Sequence, residues 1–239
     1  MIVSIMHPYF FPYVGYFQLI FHSDIFVLFD DVQYINLGWV NRNRILRNGK
    51  PCWVTLPVRK GSSHLAINQR FYQLERNVVR VLRRIEAAYR KAPGFAATFP
   101  MIEELLNFSD ANVAAFNVNL IERITARLSI GTRFVLSSTM VKDSNLAGQE
   151  RVIDMCRRLG ATHYVNPIGG LHLYQPERFA AAGIKLSFLQ TAVSAYPQFG
   201  QPPVPDLSII DIFMFNSGES VARLLPEYRL QSHALETSH

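Results

Sequence analysis

The fold is decided by residues 1–31, MIVSIMHPYFFPYVGYFQLIFHSDIFVLFDD. Residues 2–6 alternate and are largely β-branched, and residues 25–29 form a short continuous apolar run, so both stretches are predicted to be strands. The prolines and glycine of residues 8–15 predict a loop, which is followed by a short helix to about His22. Strand, helix and strand at this spacing predict a βαβ unit with two parallel strands.

The segment after this unit predicts a hairpin and then helices. Asn48-Gly49 supplies the positive φ angles of a tight turn, so residues 40–58 are predicted to form a β-hairpin. Apolar residues then recur at helical spacing over 73–90, where Val78, Val81 and Ile85 share one face. Two further helices are predicted, over 101–107 and 111–128.

After residue 130, predicted strands and helices alternate. The predicted strands are 134–139, 162–166 and 184–190, and the predicted helices are 148–159 and 176–182. Gly160 and Gly183 stand where helix C-caps are expected. The segment Ser208-Ile-Ile-Asp211 predicts a capping box that opens a helix through Phe215.

Together these patterns predict an α/β fold, because alternating strands and helices pack as parallel strands covered by helices. We expect a mostly parallel sheet with a βαβ unit at the N-terminus, a β-hairpin at about 40–58 and a helical middle segment. The sequence contains no repeat and no linker-like composition break. We therefore expect one compact domain over residues 1–239, in which 1–130 and 131–239 would be intimately packed halves.

Composition argues against several classes of protein. Hydrophobic residues make up 49% of the chain, yet no stretch approaches the roughly 18 uninterrupted apolar residues of a membrane span. The apolar N-terminus lacks a basic flank and is broken by Pro8, Pro12 and Gly15, which disfavours a signal peptide. We therefore expect a cytoplasmic protein without a transmembrane segment.

The two cysteines, Cys52 and Cys156, lie outside any Cys/His cluster of metal-ligand spacing. We expect reduced structural thiols and predict no metal site. The sequence leaves the cofactor, if the protein uses one, and the oligomeric state open.

Positive charge is concentrated in one segment. Residues 42–91 hold thirteen of the 24 Lys and Arg residues and only two acidic residues, Glu75 and Glu86, so this segment carries +11 and the remainder −5. Such a field favours phosphates, nucleotides, nucleic acid or acidic lipid headgroups, although about half of these charges fit a solvated helix face. No nucleic-acid-binding motif accompanies the charge, so we expect an anionic small molecule and no nucleic acid.

The loop that follows the first strand is the first candidate site. Residues 7–17, HPYFFPYVGYF, place an unusual number of aromatic rings between a strand and a helix. Phe10, Phe11 and Phe17 are expected in the core. The residues with a polar tip are candidates for ligand contact: His7, Tyr9, Tyr13 and Tyr16. His7 could also act as a proton donor or base near neutral pH.

Other candidates lie at predicted strand ends. Asp30 and Asp31 follow the second strand, where a carboxylate could orient a substrate hydroxyl or hold a divalent ion, and the alternative is a turn-forming pair. Gly169 and Gly170 follow the strand at 162–166 and precede Tyr174, so backbone amides could approach a ligand there.

The predicted hairpin contributes a second group of candidates. Strand alternation sends Asn41 and Asn43 to one face and Arg42 and Arg44 to the other. Two arginines on one face make a fork suited to phosphate or carboxylate, and the alternative is a solvated edge strand.

Many segments, in order, resemble the WbqC-like protein family. The similar segments are His7 to Ile20 (HPYFFPYVGYFQLI), Ser23 to Val32 (SDIFVLFDDV), Asn41 to Ile45 (NRNRI), Trp53 to Val58, Ala88 to Phe95 (AYRKAPGF), Leu159 to Tyr174 (LGATHYVNPIGGLHLY), Tyr196 to Phe199 (YPQF) and Leu207 to Gly218 (LSIIDIFMFNSG). Where many family members carry Gln, this chain has His7.

The resemblance implies a role in the assembly of bacterial surface polysaccharide such as O-antigen. It implies a transferase that attaches an aminoacyl group, for example glycine, or a related acyl group to a nucleotide-linked or lipid-linked sugar. In that interpretation, Arg42 and Arg44 bind the phosphates, the loop tyrosines stack on the sugar or base, and Asp30 or Asp31 orients the nucleophile. The chemistry of the family is poorly defined, so it assigns no catalytic residue.

Two alternatives stay open. The first is a nucleotidyltransferase-like enzyme, because a strand, a Pro-rich loop, a helix and a second strand are similar in layout to proteins with a His-x-Gly-His loop, with Tyr16 in place of the second histidine. The second is a non-catalytic protein that binds sugar nucleotides in the same pathway. The chain has none of the local signatures of P-loop, dinucleotide-binding, zinc-protease or Gly-x-Ser-x-Gly enzymes.

Overall fold

The computed structural model describes residues 1–143, 145–200 and 202–232. The strands are β1 (Ile2–Met6), β2 (Ile25–Leu28), β3 (Arg42–Arg47), β4 (Lys50–Thr55), β5 (Arg133–Leu136), β6 (His163–Pro167), β7 (Lys185–Thr191) and β8 (Tyr228–Ser232). The α-helices are α1 (Val14–His22), α2 (Glu75–Tyr89), α3 (Phe95–Leu106), α4 (Val113–Arg127), α5 (Gly148–Arg158), α6 (Pro176–Ala181), α7 (Ile209–Phe215) and α8 (Gly218–Leu224).

Within the described residues, the main sheet has the strand order β5-β2-β1-β6-β7-β8. Every neighbouring pair from β5 to β7 is parallel, and β8 is antiparallel to β7. The predicted α/β fold with a mostly parallel sheet and an N-terminal βαβ unit is confirmed. The edge strand β8 was not predicted, and its exposed side chains carry little of the alternation that marks a half-buried strand.

Two apolar clusters cover the two faces of the main sheet. Phe26 and Leu28 of β2 pack in the cluster that contains α1, α2, α4 and the hairpin. Val3 and Ile5 of β1 belong to the other cluster, together with side chains of α5 and α6. Successive strand residues point to opposite faces, so the continuous apolar runs of β1 and β2 supply both clusters.

The strand order reverses direction between β1 and β6. From β1 the chain moves outward through β2 to β5, and then α5 carries it back to β6 on the other side of β1. In open α/β sheets, ligands bind outside the carboxyl ends of the strands at such a switch point. The fold therefore directs attention to the ends of β1 and β6.

The predicted β-hairpin is confirmed as β3 and β4, which form their own two-stranded sheet. Asn48 and Gly49 have φ angles of 51° and 72°, as the tight turn requires. The hairpin belongs to the long segment between β2 and β5, together with α2, α3 and α4. The inner face of the hairpin packs on α2, where the backbone N–H of Leu46 donates to the hydroxyl of Tyr89.

Most boundaries lie within a few residues of the prediction, and those of α3 and β5 show why some do not. Helix α3 begins at Phe95, although residues 101–107 alone were predicted. Pro100 removes one internal hydrogen bond of this helix, but Ile102, Leu105 and Leu106 bury their side chains in the core and sustain it. Strand β5 ends at Leu136, where residues 137–139 turn into a short 3₁₀ helix.

The predicted capping box at α7 is half right. The hydroxyl of Ser208 accepts a hydrogen bond from the Ile210 N–H, as an N-cap should. The carboxylate of Asp211 instead lies buried and accepts from the hydroxyls of Tyr89 and Tyr196, each at 2.6 Å. Burial raises the pKa of Asp211. No described helix combines the length and apolarity that a membrane crossing requires.

Candidate active site

A cavity of about 880 Å³ lies at the switch point of the sheet. Strands β1 and β6 pair at Ile2–His163 and Val3–Tyr164, and among the described residues no pair joins them beyond that point. Their carboxyl halves therefore separate, and Ile5 and Met6 of β1 face the cavity. The lining includes nine predicted site residues: His7, Tyr9, Tyr13, Tyr16, Asn43, Arg44, Gly169, Gly170 and Tyr174.

The loop after β1 is anchored on its apolar side. Phe10 and Phe11 are buried in the core, as predicted, and Phe11 has a φ of 42°. The side-chain amide of Asn43 donates to the carbonyls of Phe10 and Phe11, at 3.2 and 2.7 Å, and Asn117 donates to the carbonyl of Pro8. These bonds satisfy buried backbone groups that the loop itself leaves unpaired. The loop is thus fixed with His7, Tyr9 and Tyr13 along the cavity.

His7 brings an imidazole to this lining. Its imidazole stacks on the ring of Phe29, with centroids 5.9 Å apart and planes 11° apart. Burial lowers the pKa of His7 from its usual value of 6.5. The imidazole is therefore neutral at pH 7, and one ring nitrogen is available to accept a proton.

The loop tyrosines stay protonated near neutral pH. Burial and the neighbouring Tyr13 raise the pKa of Tyr9 to about 12, and burial raises the pKa of Tyr13 as well. Their hydroxyls can therefore donate hydrogen bonds to a ligand. Tyr16 has a different role, because its hydroxyl donates to the backbone carbonyl of His7 at 2.9 Å and its ring is buried.

Arg44 brings positive charge to the lining. One guanidinium nitrogen donates to the carbonyl of Asp206 at 3.1 Å, while its buried Nε has no hydrogen-bond partner. The guanidinium lies over the ring of Trp39, 5.6 Å from the centroid. Among the described residues, Arg44 forms no ion pair. It therefore retains donors and charge for an anionic ligand.

The opposite wall comes from the end of β6. The Tyr164 hydroxyl donates to the side-chain oxygen of Asn166 and shares a second hydrogen bond with Tyr174, each at 3.1 Å. A Cβ at Gly170 would lie 2.1 Å from the Asn166 side chain, so only glycine lets the backbone approach this closely. Gly169, Gly170 and Tyr174 accordingly face the loop residues across the cavity.

The predicted acidic pair does not line this cavity. Asp30 is buried and accepts hydrogen bonds from Ser137 and Ser138, both at 2.9 Å, and from Asn68. It ties the ends of β2 and β5 to the segment that follows the hairpin. The structure therefore separates Asp30 from the loop residues that line the cavity.

Asp31 does not line the cavity but contacts a residue that packs on the lining residue Phe29. Its carboxylate pairs with Lys142 and Arg151, each at 2.7 Å, and the Arg151 guanidinium lies 4.9 Å from the centroid of Phe29. Partial burial acts to raise the pKa of Asp31, but hydrogen bonds from Lys142 and Ser137 and the charge of Arg151 outweigh it, so the pKa is lowered. Asp31 thus reaches the lining through Arg151 and Phe29.

Two hairpin residues also lie outside the lining. Asn41 is buried and donates to the carbonyl of Leu56 at 3.1 Å. Arg42 donates to the carbonyls of Leu37 and Gly38 and lies over the ring of Trp53. The predicted alternation of β3 is confirmed, since both asparagines are buried and both arginines are partly exposed. The two arginines nevertheless have different surroundings, and Arg44 alone contributes to the cavity.

The WbqC-like protein family matches residues 7–223. The chain belongs to the WbqC-like protein family. The matched range contains all the lining residues except Ile5 and Met6 of β1.

A relative of this WbqC-like chain matches it over most of its length. An uncharacterized protein of Mycobacterium tuberculosis (strain ATCC 25618 / H37Rv), Rv1507c, is 29% identical over 221 residues, which cover 90% of this chain and 94% of the relative. No solved structure matches the chain.

Several lining residues of this WbqC-like chain were not predicted from the sequence: Trp39, Gln149, Asn166, Gln190, Thr191 and Asp206. Asn166 and Thr191 stand at the carboxyl ends of predicted parallel strands, so the rule for α/β sheets could have indicated them. Trp39 and Asp206 lie outside regular elements, and no local pattern brings them to the site.

Proposed function

We propose that this protein is a transferase that attaches an aminoacyl group, for example glycine, or a related acyl group to a phosphate-linked sugar during the assembly of a bacterial surface glycan. The observation that carries the proposal is that one cavity at the switch point is lined both by the neutral His7 and by Arg44, which forms no ion pair within the described residues. Membership of the WbqC-like family and the expectation of a cytoplasmic protein are consistent with it.

The cavity suits a ligand of this size and character. Sites for small molecules are commonly about 300–1,000 Å³ and mostly apolar, with a few polar groups that fix orientation. The volume of about 880 Å³ fits a sugar joined to a nucleotide or to another phosphate-linked carrier. The rings of Tyr9 and Tyr13 can stack on the face of a sugar, and their hydroxyls can form hydrogen bonds at its edge.

The proposed step is an acyl transfer with His7 as general base. An amine or hydroxyl of the sugar attacks the acyl carbonyl, and a new C–N or C–O bond forms while the bond from the carbonyl to its leaving group breaks. The imidazole of His7 takes the proton of the nucleophile and returns it to the leaving group, so atoms and charge balance. The lowered pKa of His7 keeps the base form available at neutral pH.

In this proposal Arg44 binds phosphate and the remaining residues act by position. The Arg44 fork can hold two phosphate oxygens, and the backbone at Gly169-Gly170 forms the facing wall. Asp31 keeps Arg151 against Phe29, on which His7 stacks, and Asn43 holds the loop. Asp30, Asn41 and Arg42 support the same region without facing the ligand.

A second candidate is supported by the strand order. The order β5-β2-β1-β6-β7 corresponds to the 3-2-1-4-5 order of doubly wound folds that bind nucleotides at the switch point. This observation favours a nucleotidyltransferase-like enzyme, in which a sugar phosphate attacks the α-phosphate of a nucleoside triphosphate and pyrophosphate leaves. In that case Arg44 would bind the triphosphate.

A binding screen followed by product analysis separates the readings. Ligands that bind the native state raise the melting temperature, so nucleotide sugars, aminoacyl donors and nucleoside triphosphates are first compared by thermal shift. Ligands that stabilise the protein are then incubated together, and the products are analysed by mass spectrometry. An acylated sugar supports the transferase, and pyrophosphate release supports the second candidate. A nucleotide sugar that binds without any product supports a non-catalytic binding protein and contradicts the proposal.

A further inference from the structure

An apolar turn protrudes beside the cavity. Ile35 is 60% exposed and Leu37 is 76% exposed, and the next aromatic residue, Trp39, is 38% exposed while also lining the cavity. Leu37 has a φ of 61°, which is rare for a residue with a bulky side chain. The chain therefore adopts a strained backbone at the point where it presents an apolar side chain to solvent, which suggests a function for this turn.

The turn is held in place by Arg42. The guanidinium donates to the carbonyls of Leu37 and Gly38 and lies 4.0 Å from the centroid of Trp53. Trp53 is 38% exposed and its ring centroid lies 5.2 Å from that of Trp39. Arg42 thus joins the turn to two exposed indole rings, and we call residues 35–39 together with Trp53 the apolar ridge.

The ridge lies in a part of the chain that has no negative charge. Between Asp31 and Glu75 the sequence has no acidic residue and seven cations: Arg42, Arg44, Arg47, Lys50, Arg59, Lys60 and Arg70. Arg59 and Lys60 are exposed, and their loop adjoins the turn, because the Tyr34 N–H donates to the carbonyl of Leu65 and the Gln33 side chain donates to that of Ser63. Arg47 and Lys50 are exposed at the tip of the hairpin.

We propose that the apolar ridge docks the protein on an anionic lipid surface. Exposed aliphatic residues and indole rings enter the interfacial layer of a bilayer, and surrounding Lys and Arg residues bind anionic headgroups. A soluble glycan would stack on Trp39 and Trp53 but would leave Ile35 and Leu37 in water, so the exposure of these two residues favours lipid. Docking here would turn the Trp39 side of the cavity toward the membrane. The proposal goes beyond the reaction, and its test needs no turnover.

The test measures co-sedimentation of the full chain with vesicles. Vesicles of phosphatidylcholine alone are compared with vesicles that also contain phosphatidylglycerol, at about 0.1 M salt. We expect binding to the anionic vesicles that weakens as salt rises. Leu37→Asn should weaken it about tenfold, because one large apolar side chain is lost from the interface. Asparagine tolerates the left-handed backbone, so the turn itself is retained.

Matched variants make the result specific. Val141 is 82% exposed and outside the cavity lining, so Val141→Asn removes a comparable apolar side chain and should leave vesicle binding unchanged. Equal binding by wild type and Leu37→Asn, or no preference for anionic vesicles, would overturn the proposal. If soluble glycerol phosphate displaces the protein from sedimenting vesicles as effectively as further vesicles do, the protein has a site for a lipid headgroup but does not dock on the membrane, which would also overturn the proposal. A dimer that Leu37→Asn converts to monomer, with no vesicle binding, would identify a contact between copies instead.

Discussion

The imidazole of His7 lies nearly parallel to the ring of Phe29, at a centroid distance of 5.9 Å. Phe29 in turn contacts the Arg151 guanidinium, which is paired with Asp31. The proposed base is therefore fixed by an aromatic ring that is itself held by an ion pair, while burial keeps it uncharged. Preorganisation of this kind is what a general base in acyl transfer requires.

Replacing His7 by Gln should slow turnover strongly and preserve binding. Glutamine keeps a polar side chain but cannot take the proton, so kcat should fall by about 10²–10⁴-fold while the Kd for a nucleotide sugar changes little. The exposed His64, outside the lining, provides the control variant His64→Gln. Full turnover of His7→Gln would remove His7 from the mechanism.

The pH dependence of turnover should reflect the same residue. The base form is required, so the rate falls when His7 becomes protonated. Burial lowers the pKa of His7 below 6.5 in the ligand-free protein, so the acid limb of the kcat/KM profile, which reports the free enzyme, should lie below pH 6.5. A limb above that value would indicate a different base or an exposed imidazole.

Removing the Asn43 side chain should destabilise the fold and loosen the aromatic loop. Asn43→Ala leaves the buried carbonyl of Phe10 without its donor, leaves the carbonyl of Phe11 with the Ser208 hydroxyl alone, and removes the acceptor of the Arg44 N–H. The loss should be on the order of 3 kcal/mol in urea unfolding. Asn41→Ala removes one bond, to Leu56, and should cost about 1 kcal/mol. Equal losses would mean that Asn43 does not anchor the loop.

The ion pairs of Asp31 should stabilise the protein in a pH-dependent manner. A lowered pKa means that the contribution is present above the unfolded value near 4 and is lost as the pH falls through the folded pKa. Asp31→Asn should therefore reduce the free energy of unfolding by about 1 kcal/mol at pH 7, since the pairs are only partly shielded from solvent, and by less below pH ~4. Glu104→Gln, which breaks the exposed pair with Arg123, should have almost no effect. A pH-independent loss for Asp31→Asn would contradict the assignment.

Local patterns predicted the elements of this fold well, because periodicity and turn chemistry are properties of neighbouring residues. The βαβ unit, the Asn48-Gly49 hairpin and the alternation after residue 130 all follow from them. The reversal of strand order between β1 and β6 depends on where β6 pairs in the sheet. No local sequence pattern indicates that position. The loop residues could be predicted as site residues because they follow the carboxyl end of β1. Ligands bind at such strand ends in α/β sheets, whichever strands lie next to β1.

The misplaced residues depend on distant partners. Asp31 pairs with Lys142 and Arg151, more than 100 positions away, and Asp211 meets Tyr89 and Tyr196 instead of capping its own helix. Arg42 and Arg44 are equivalent in the strand pattern. In the structure, Arg42 donates a hydrogen bond to the turn at 35–39, whereas Arg44 lines the cavity. The different surroundings of these two arginines are visible in the structure but could not be predicted from the sequence.

The most direct test of the account compares these two arginines by isothermal titration with the nucleotide sugar that gives the largest thermal shift. Arg44→Lys keeps the charge but removes the fork, and its affinity should fall by about 1–3 kcal/mol, which is roughly fivefold to 150-fold in Kd. Arg42→Lys, on the same strand face but outside the lining, should lose far less affinity, because Arg42 reaches the cavity only through the turn that carries Trp39. Unchanged affinity of Arg44→Lys, or an equal loss in both variants, would contradict a phosphate-binding site at the switch point.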